Sequence, residues 1–360
     1  MAIISFKCPA CGGPLKWDAA KQRYTCEYCR SEYAESEFSA AEKVEETGGA
    51  VSAEEAAHTG HGSGKTGDGQ VKVYNCPSCG AQVVTDATTA ASFCYYCHNP
   101  IVLSDKLSGD FHPDAVIPFA IDEKKAKQIF TDWIGKHRYV PADFYSPEQI
   151  EKFSAVYFPY WVYSAKVTGT ARGKGERERV WTEGDSRLTE TSVYEIHKDG
   201  DMPVDNLSRI ALKKASAVLC ESVAPFDYEK MRPFEYGYLS GYQAEARDID
   251  SKELEDDVRK EITEFAENQL RMEVESQYAR TFLSTLSARI RSEEWKYVLM
   301  PVWTLTYKGP DGKMYYFSIN GDSGKTVGEL PVDKKSLIRL FFTVAIPVLI
   351  VLILLFHFLG

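Results

Sequence analysis

"CPACGGPLKWDAAKQRYTCEYC" runs from Cys8 to Cys29, and "CPSCGAQVVTDATTAASFCYYC" runs from Cys76 to Cys97 with its cysteines at the same four offsets. Each copy reads Cys-x2-Cys, fourteen residues, Cys-x2-Cys, close to the spacing that holds a zinc ion. Four thiolates close a tetrahedral shell around Zn2+ at about 2.3 Å per bond and leave no position for water or substrate. The sequence therefore predicts two structural Zn2+ sites. Cys8, Cys11, Cys26 and Cys29 form one, and Cys76, Cys79, Cys94 and Cys97 form the other.

A dithiol redox pair is the competing reading of a Cys-x2-Cys, but it needs a low-pKa thiolate beside a helix start in a βαβ pattern. The flanking LKWD, YTCEYC, QVVT and SFCYYC read instead as short extended stretches. Gly12 and Gly80 close each first pair with a tight turn. A module this small has almost no core and is expected to unfold without its metal. Cys220, in SAVLCESV, reads as a small core residue. His98, next to Cys97, reads as a polar turn residue.

The N-terminal MAIISFKCPACGG lacks the charged and apolar regions of a secretion signal. It is expected to stay in the cytoplasm, where thiols are reduced and clustered cysteines bind metal. At the other end, LFFTVAIPVLIVLILLFHFLG (340–360) contains no Lys, Arg, Asp or Glu and has the length of a bilayer-crossing helix. Lys334, Lys335 and Arg339 flank its N-terminal side. The positive-inside tendency then predicts a single-pass, tail-anchored protein of the cell membrane with its bulk in the cytoplasm. Pro347 is a candidate kink point.

The expected fold is multidomain: two small β zinc ribbons, a mixed α+β cytoplasmic domain with antiparallel strands, and one C-terminal transmembrane helix. The segments are ribbon one at 1–39, a flexible linker at 40–70, ribbon two at 71–105, the α+β domain at 106–332, a basic juxtamembrane segment at 333–339 and the membrane helix at 340–360. The linker is rich in Gly, Ala, Ser, Thr and Glu. Its GHGSGKTGDG imitates a nucleotide-binding loop, but Thr59 stands where the first glycine belongs, and no strand precedes it.

Within the α+β domain, FHPDAVIPFAID reads as extended, and EKKAKQIFTDWIGKH as a helix with Ala126, Ile129, Phe130 and Trp133 on one face. AVYFPYWVYSAKVTGTARG reads as a long strand, and RERVWTEG and RLTETSVYEIHKDG as further strands. LSRIALKKASAVLCESV reads as a helix. So does DSKELEDDVRKEITEFAENQLRMEVES, with an Asp250/Glu253 capping box and Leu254, Val258, Ile262 and Phe265 on one face. The stretch from Tyr297 reads as three strands with turns at Asp311-Gly312 and Asn320-Gly321. V-x-x-P-x-W occurs at Val156–Trp161 and again at Val298–Trp303. Three shared positions leave duplication and coincidence both open, and each proline is expected to begin a strand or lie on an edge.

The chain is 44% apolar with a net charge of −10, a globular composition. Five basic residues balance five acidic ones in 1–39, and one basic residue faces two acidic ones in 71–105. Nucleic-acid modules normally present a basic stripe, so protein recognition fits the ribbons better. A membrane-tethered nucleic-acid-binding regulator is the alternative. Tyr74, Phe93, Tyr95 and Tyr96 could stack bases, but they suit a small β core better. His98, His112, His137 and His197 are scattered, and no Ser or Cys nucleophile has a recognisable base. No catalytic or cofactor-binding residue is predicted.

The two CPxCG units, FHPDAVIPF, VYFPYW, YGYLSGY, YVLMPVWTLTYK and FSINGDSGKTVGELPVDK, followed by the apolar terminus, resemble the bacterial TFIIB-type zinc-ribbon membrane proteins of the YdjG type. Such proteins are sometimes labelled primosomal or helicase-like, but this sequence carries no Walker motif. The resemblance implies an envelope-stress setting beside PspA-like and SPFH-domain proteins at the membrane. It supplies no catalytic residues; the closed metal sites, the tail anchor, the flexible linker and the lack of a recognisable catalytic set lead to the expectation of a non-enzymatic scaffold or adaptor that recruits protein partners.

Overall fold

A computed structural model describes residues 3–35, 37, 72–76, 78–94, 97–214, 217–309 and 311–359. The expected linker at 40–70, including His58, His61 and the nucleotide-loop look-alike, lies outside the described residues, as do Tyr95 and Tyr96. The first cysteine unit contains β1 (Ile3–Ile4), β2 (Leu15–Asp18), β3 (Arg23–Cys26) and β4 (Glu32–Tyr33). The last three form an antiparallel sheet. The second unit contains the hairpin β5 (Lys72–Asn75) and β6 (Gln82–Thr85), followed by β7 (Thr89–Phe93) and β8 (Pro100–Leu103).

Neither unit stands apart from the α+β region. β7 and β8 belong to an eleven-stranded mixed sheet that runs through it. β1 pairs antiparallel with β8, Ile3 opposite Leu103, so the first unit also contributes a strand to that sheet.

Downstream come β9 (Ala115–Val116), α1 (Glu123–Ile134), β10 (Ser154–Glu183), β11 (Ser186–Ile210), β12 (Arg232–Pro233), β13 (Gln243–Glu245), α2 (Ser251–Glu275), β14 (Arg280–Lys308), β15 (Met314–Asn320), β16 (Thr326–Gly328) and α3 (Lys334–Leu359). The order short strand, helix, long strand, return strand occurs twice, as β9-α1-β10-β11 and as β13-α2-β14-β15. The halves exchange their short strands: β9 pairs in parallel with β14, Ala115 opposite Val298, and β13 with β10, Gln243 opposite Val156. Trp161 Nε1 donates to the Ile249 carbonyl at 3.0 Å, and Trp303 Nε1 to the Ile121 carbonyl at 2.9 Å. The Ala211 carbonyl accepts from Asp248 and Ile249, and the Gly321 carbonyl accepts from Ala120 and Ile121. Asp122 and Asp250 then cap α1 and α2. The V-x-x-P-x-W stretches lie opposite each other, Val156 against Val302 and Pro159 against Leu299, about a pseudo-two-fold axis.

The prolines do not begin strands. Each sits inside a long central strand, where the neighbour on its outer side changes. Beside Pro159, β13 ends and β11 begins, and the Pro159 carbonyl accepts from Ala211. Beside Pro301, β9 ends and β15 begins, and its carbonyl accepts from Gly321. In a strand the N and C=O of one residue point to the same side, so the missing donor falls in a gap between partners.

Other local expectations shift for the same reason. The predicted helix from Leu207 is strand as far as Ile210, because Arg209 and Ile210 pair with Trp161 and Tyr160; only Ala217–Ser222 is helical. RERVWTEG continues β10 rather than forming a strand of its own. On α2 the buried stripe is Val258, Ile262, Ala266, Leu270 and Val274, spaced by four, and Phe265 lies beside it, exposed. The turn after β15 takes its left-handed residue at Gly324, not at Gly321. The long helix, its capping box and the α1 helix match the sequence reading.

Beyond the body, β11, β10 and β14 continue as a three-stranded antiparallel blade; β10 runs for 30 residues in all, its first part inside the body. Val167 and Ala171 on one face pack under Val258, Ile262, Leu270 and Val274 of α2. The opposite face carries Lys166, Thr168, Thr170, Arg172 and Lys174 and has no covering layer among the described residues.

Candidate metal centres and their setting

The four Sγ atoms of Cys8, Cys11, Cys26 and Cys29 lie within 4.8 Å of one another, as do those of Cys76, Cys79, Cys94 and Cys97. Cys8–Cys29 and Cys11–Cys26 are 3.5 Å apart; Cys76–Cys97 and Cys79–Cys94 are 3.7 Å apart. These cysteines are not disulfide-bonded. A tetrahedron with bonds of about 2.3 Å has edges of about 3.8 Å, so both donor sets fit a Zn2+ ion. Among the described residues these are the two clusters suited to a metal. All eight predicted ligands are brought together as the sequence spacing required.

The local reason is a turn used four times. The first cysteine of each pair accepts at its carbonyl from the residue four positions on: Gly12, Arg30, Gly80 and His98. Its own amide donates to the carbonyl five positions on: Gly13, Ser31, Ala81 and Asn99. The residue at position four has a positive φ in every case: 72° at Gly12, 59° at Arg30, 73° at Gly80 and 54° at His98. Such a conformation favours glycine. Only two of the four corners have one, so the second pair of each unit carries no glycine signal in the sequence. His98 is thus a corner residue beside the sulfurs.

Surrounding groups favour thiolates unevenly. Burial pushes the Cys8 thiol up, but the Tyr33 hydroxyl, 3.4 Å away, and the Cys11 and Ala10 amides outweigh it and the net shift is downward. The Ser31 hydroxyl and amide hold Cys29 down at about 6. Burial pushes Cys76 up to about 12. A divalent cation binds the deprotonated forms, so loading each cluster releases protons. Tyr33 follows the last cysteine by four residues, and no pattern in the sequence marked it. Cys220 is buried, and burial pushes its thiol up to about 11, the condition of an inert core thiol.

The first centre is welded to the body. Leu15, Trp17 and Tyr24 are fully buried in one core with Tyr238, Leu239 and Tyr242. Trp17 packs edge-on against Tyr24 and Tyr238. The Trp17 amide donates to the Ser240 carbonyl at 3.0 Å, Ser240 Oγ donates to the Leu15 carbonyl, and Tyr242 Oη donates to the Trp17 carbonyl at 3.1 Å. Glu35 accepts from Tyr238 and pairs with Arg232. At Gly237 the backbone passes so close to the Tyr24 hydroxyl that an added Cβ would collide with it.

The second centre has its own small core of Tyr74, Cys76, Val83, Cys94, Ile101 and Leu103. It is tied down by Lys214, which bridges Asp86 at 2.7 Å and Glu245 at 2.8 Å. Lys16 of the first unit lies over the Phe93 ring of the second, 5.9 Å from its centre.

The histidines do not converge. His112 packs on Phe234 and Tyr236, His137 on Trp133, and His197 is exposed on β11. Lys334–Leu355 within α3 is long and apolar enough to cross a membrane, its residues are not buried against the rest of the protein, and the helix continues through Pro347.

Fold and sites thus define a chain with two four-cysteine centres, a mixed, mostly antiparallel sheet and one apolar C-terminal helix. It is 28% identical over 351 residues to Uncharacterized protein YdjG of Bacillus subtilis (strain 168), an alignment covering 95% of this chain and 94% of that one. No family model matches, and no solved structure does.

Proposed function

We propose that this chain is a non-enzymatic scaffold, anchored in the cell membrane by α3 with its body in the cytoplasm, that recruits protein partners to the membrane face. The observation that carries this reading is the blade: β10, 30 residues long in all, extends beyond the body with one polar face uncovered among the described residues, which is a means of presenting surface rather than of enclosing a substrate. The metal shells support it, because four sulfurs per ion leave no site for chemistry. Lys334, Lys335 and Arg339 at the start of α3 support a cytoplasmic body. The partners we propose are PspA-like and SPFH-domain proteins, in an envelope-stress response.

The test is capture of purified PspA-like and SPFH-domain proteins by the full chain, zinc-loaded in detergent micelles. A second chain lacking the blade tip (177–192) serves as control. Binding of either protein that weakens without the tip supports the reading, and binding of neither refutes it.

A further inference from the structure

Residues 329–333 join β16 to α3, and that connection has no slack. The Glu329 amide donates to the Tyr316 carbonyl at 3.0 Å, and the Glu329 carboxylate pairs with Lys313 at 3.0 Å. Pro331 is buried. The Asp333 amide donates to the Tyr139 carbonyl at 2.7 Å, and the Asp333 carboxylate caps α3 by accepting from the Lys335 amide at 3.0 Å. Lys334 and Lys335 line one cleft with Ala142, Asp143 and Asp311. The first turn of α3 is thus held against the 139–143 stretch and the β14–β15 turn, whereas Leu337, Ile338 and Leu340 are already exposed.

Helix length sets the height of this end of the body above a bilayer. From Lys334 to Leu340, where the uncharged run begins, the helix rises about 9 Å. The headgroup layer of one leaflet is about 5–8 Å thick. With Leu340 at the edge of the hydrocarbon, Tyr139 and the β14–β15 turn stand at the outer surface of the headgroups.

The side chains here suit that position. Lys136, Arg138 and Lys308 are exposed, and among the described residues they make no ion pair, nor do Lys334, Lys335 and Arg339. Of the nearby carboxylates, Glu329 is paired, Asp311 accepts from the Tyr315 hydroxyl at 2.8 Å, and Asp333 caps the helix. Asp132, Asp143 and Glu148 remain against those cations. Met314, opposite Lys308 in the hairpin, is exposed, as are Tyr145 and Tyr316, and tyrosine favours the membrane–water boundary.

We propose that the body is seated directly on the bilayer through this end, and that Lys136, Arg138 and Lys308 join Lys334 and Lys335 in binding the phosphates of anionic phospholipids. The lipid surface is the occupant because the anchor brings it there: a helix fixed to the body at its first turn cannot enter a bilayer without carrying these cations to the headgroups. Long basic side chains can then bury their stems among the headgroups while their charges meet phosphate. The inference rests on the membrane anchor proposed above.

The test uses the full, zinc-loaded chain reconstituted into vesicles of phosphatidylcholine alone or mixed with phosphatidylglycerol. Flotation at alkaline pH scores insertion. Labelling at neutral pH with a membrane-impermeant amine-acylating reagent, read by mass spectrometry, gives the rates of Lys136 and Lys308 relative to Lys174 of the same chain. Lys174 lies opposite Phe282, toward the other end of β14. An anionic surface concentrates protons about threefold and so makes the reactive neutral amine rarer, an effect that fades within a Debye length of about 10 Å. Adding phosphatidylglycerol is therefore expected to slow Lys136 and Lys308 about threefold against Lys174. An unchanged ratio in chains that float, or equal slowing of all three lysines, would overturn the proposal and leave the anchor standing. Chains that fail to float would overturn the anchor and this proposal with it.

Discussion

Trp17 tests whether the first metal centre is part of the body or a separate module. Its side chain is 3% exposed, and about 200 Å² of buried aromatic surface at about 25 cal/mol/Å² corresponds to about 5 kcal/mol as an upper value. The Nε1 donor is buried without a partner, which returns about 1–3 kcal/mol of that sum. Trp17→Ala is therefore expected to destabilise the protein by about 2–4 kcal/mol, overlapping the lower part of the range of buried aromatic truncations. Trp17→Phe keeps most of the apolar surface and deletes the orphan donor, so its cost is expected to stay below about 1 kcal/mol. The assay is urea unfolding of the full chain in micelles, followed by far-ultraviolet circular dichroism and, in parallel, by zinc release to a chromogenic chelator. Because Trp17 shares its core with Tyr238, Leu239 and Tyr242, the main sheet transition should move to lower urea together with release of one zinc. Early loss of one zinc with an unmoved sheet transition would refute the reasoning.

Three further outcomes concern the centres and their supports. Zinc-loaded chain should contain two zinc ions by mass spectrometry, and Cys29→Ser or Cys97→Ser should each reduce the count to one, because three sulfurs hold the ion far less well than four. His98→Gly should leave the count at two, since His98 occupies a left-handed corner, whereas His98→Val should strain that corner by about 1–2 kcal/mol and lower the midpoint of zinc release. Burial pushes the Asp86 carboxyl up, but the Lys214 ammonium and the Thr89 hydroxyl and amide outweigh it and hold it well below the usual carboxylate range. That contribution is present above about pH 4, the unfolded value, and is lost as pH falls through the lower folded value. Asp86→Asn should thus cost about 1 kcal/mol or less at pH 7, the carboxylate being half exposed, and the difference from wild type should fade in acid unfolding curves.

The two four-cysteine clusters were the most legible part of the chain. A Cys-x2-Cys corner closes within six residues, so its geometry is written in adjacent positions and needs no distant partner. The Arg30 and His98 corners were hidden because the hydrogen bonds of the turn can force a positive φ on a residue that does not prefer it. Tyr33 was hidden because a tyrosine near a sulfur looks like any other tyrosine. α2 was legible from its cap and periodicity, although one residue of its face was misplaced. Leu207–Ile210 was misread as helix because its partners, Tyr160–Tyr163, lie more than forty positions away. The repeat was read only from three matching residues, whereas the backbone contacts that make the halves equivalent involve Ala211, Gly321 and the dipeptides before each helix cap, which share only a short Ile-Asp-x-Lys at Ile121 and Ile249.

The sequence by itself determined the two donor sets, the long capped helix and the apolar terminal run, because each depends on side chains a few residues apart. Tertiary structure decided the rest. The prolines sit inside strands because two neighbouring strands end there. The first centre fuses to the body because Trp17 and Tyr24 find the 236–242 turn. The blade exists because β14, starting at Arg280, pairs with β10 as far out as Glu176. Strand pairing couples residues at any separation along the chain, and such couplings leave no periodic trace in a single sequence.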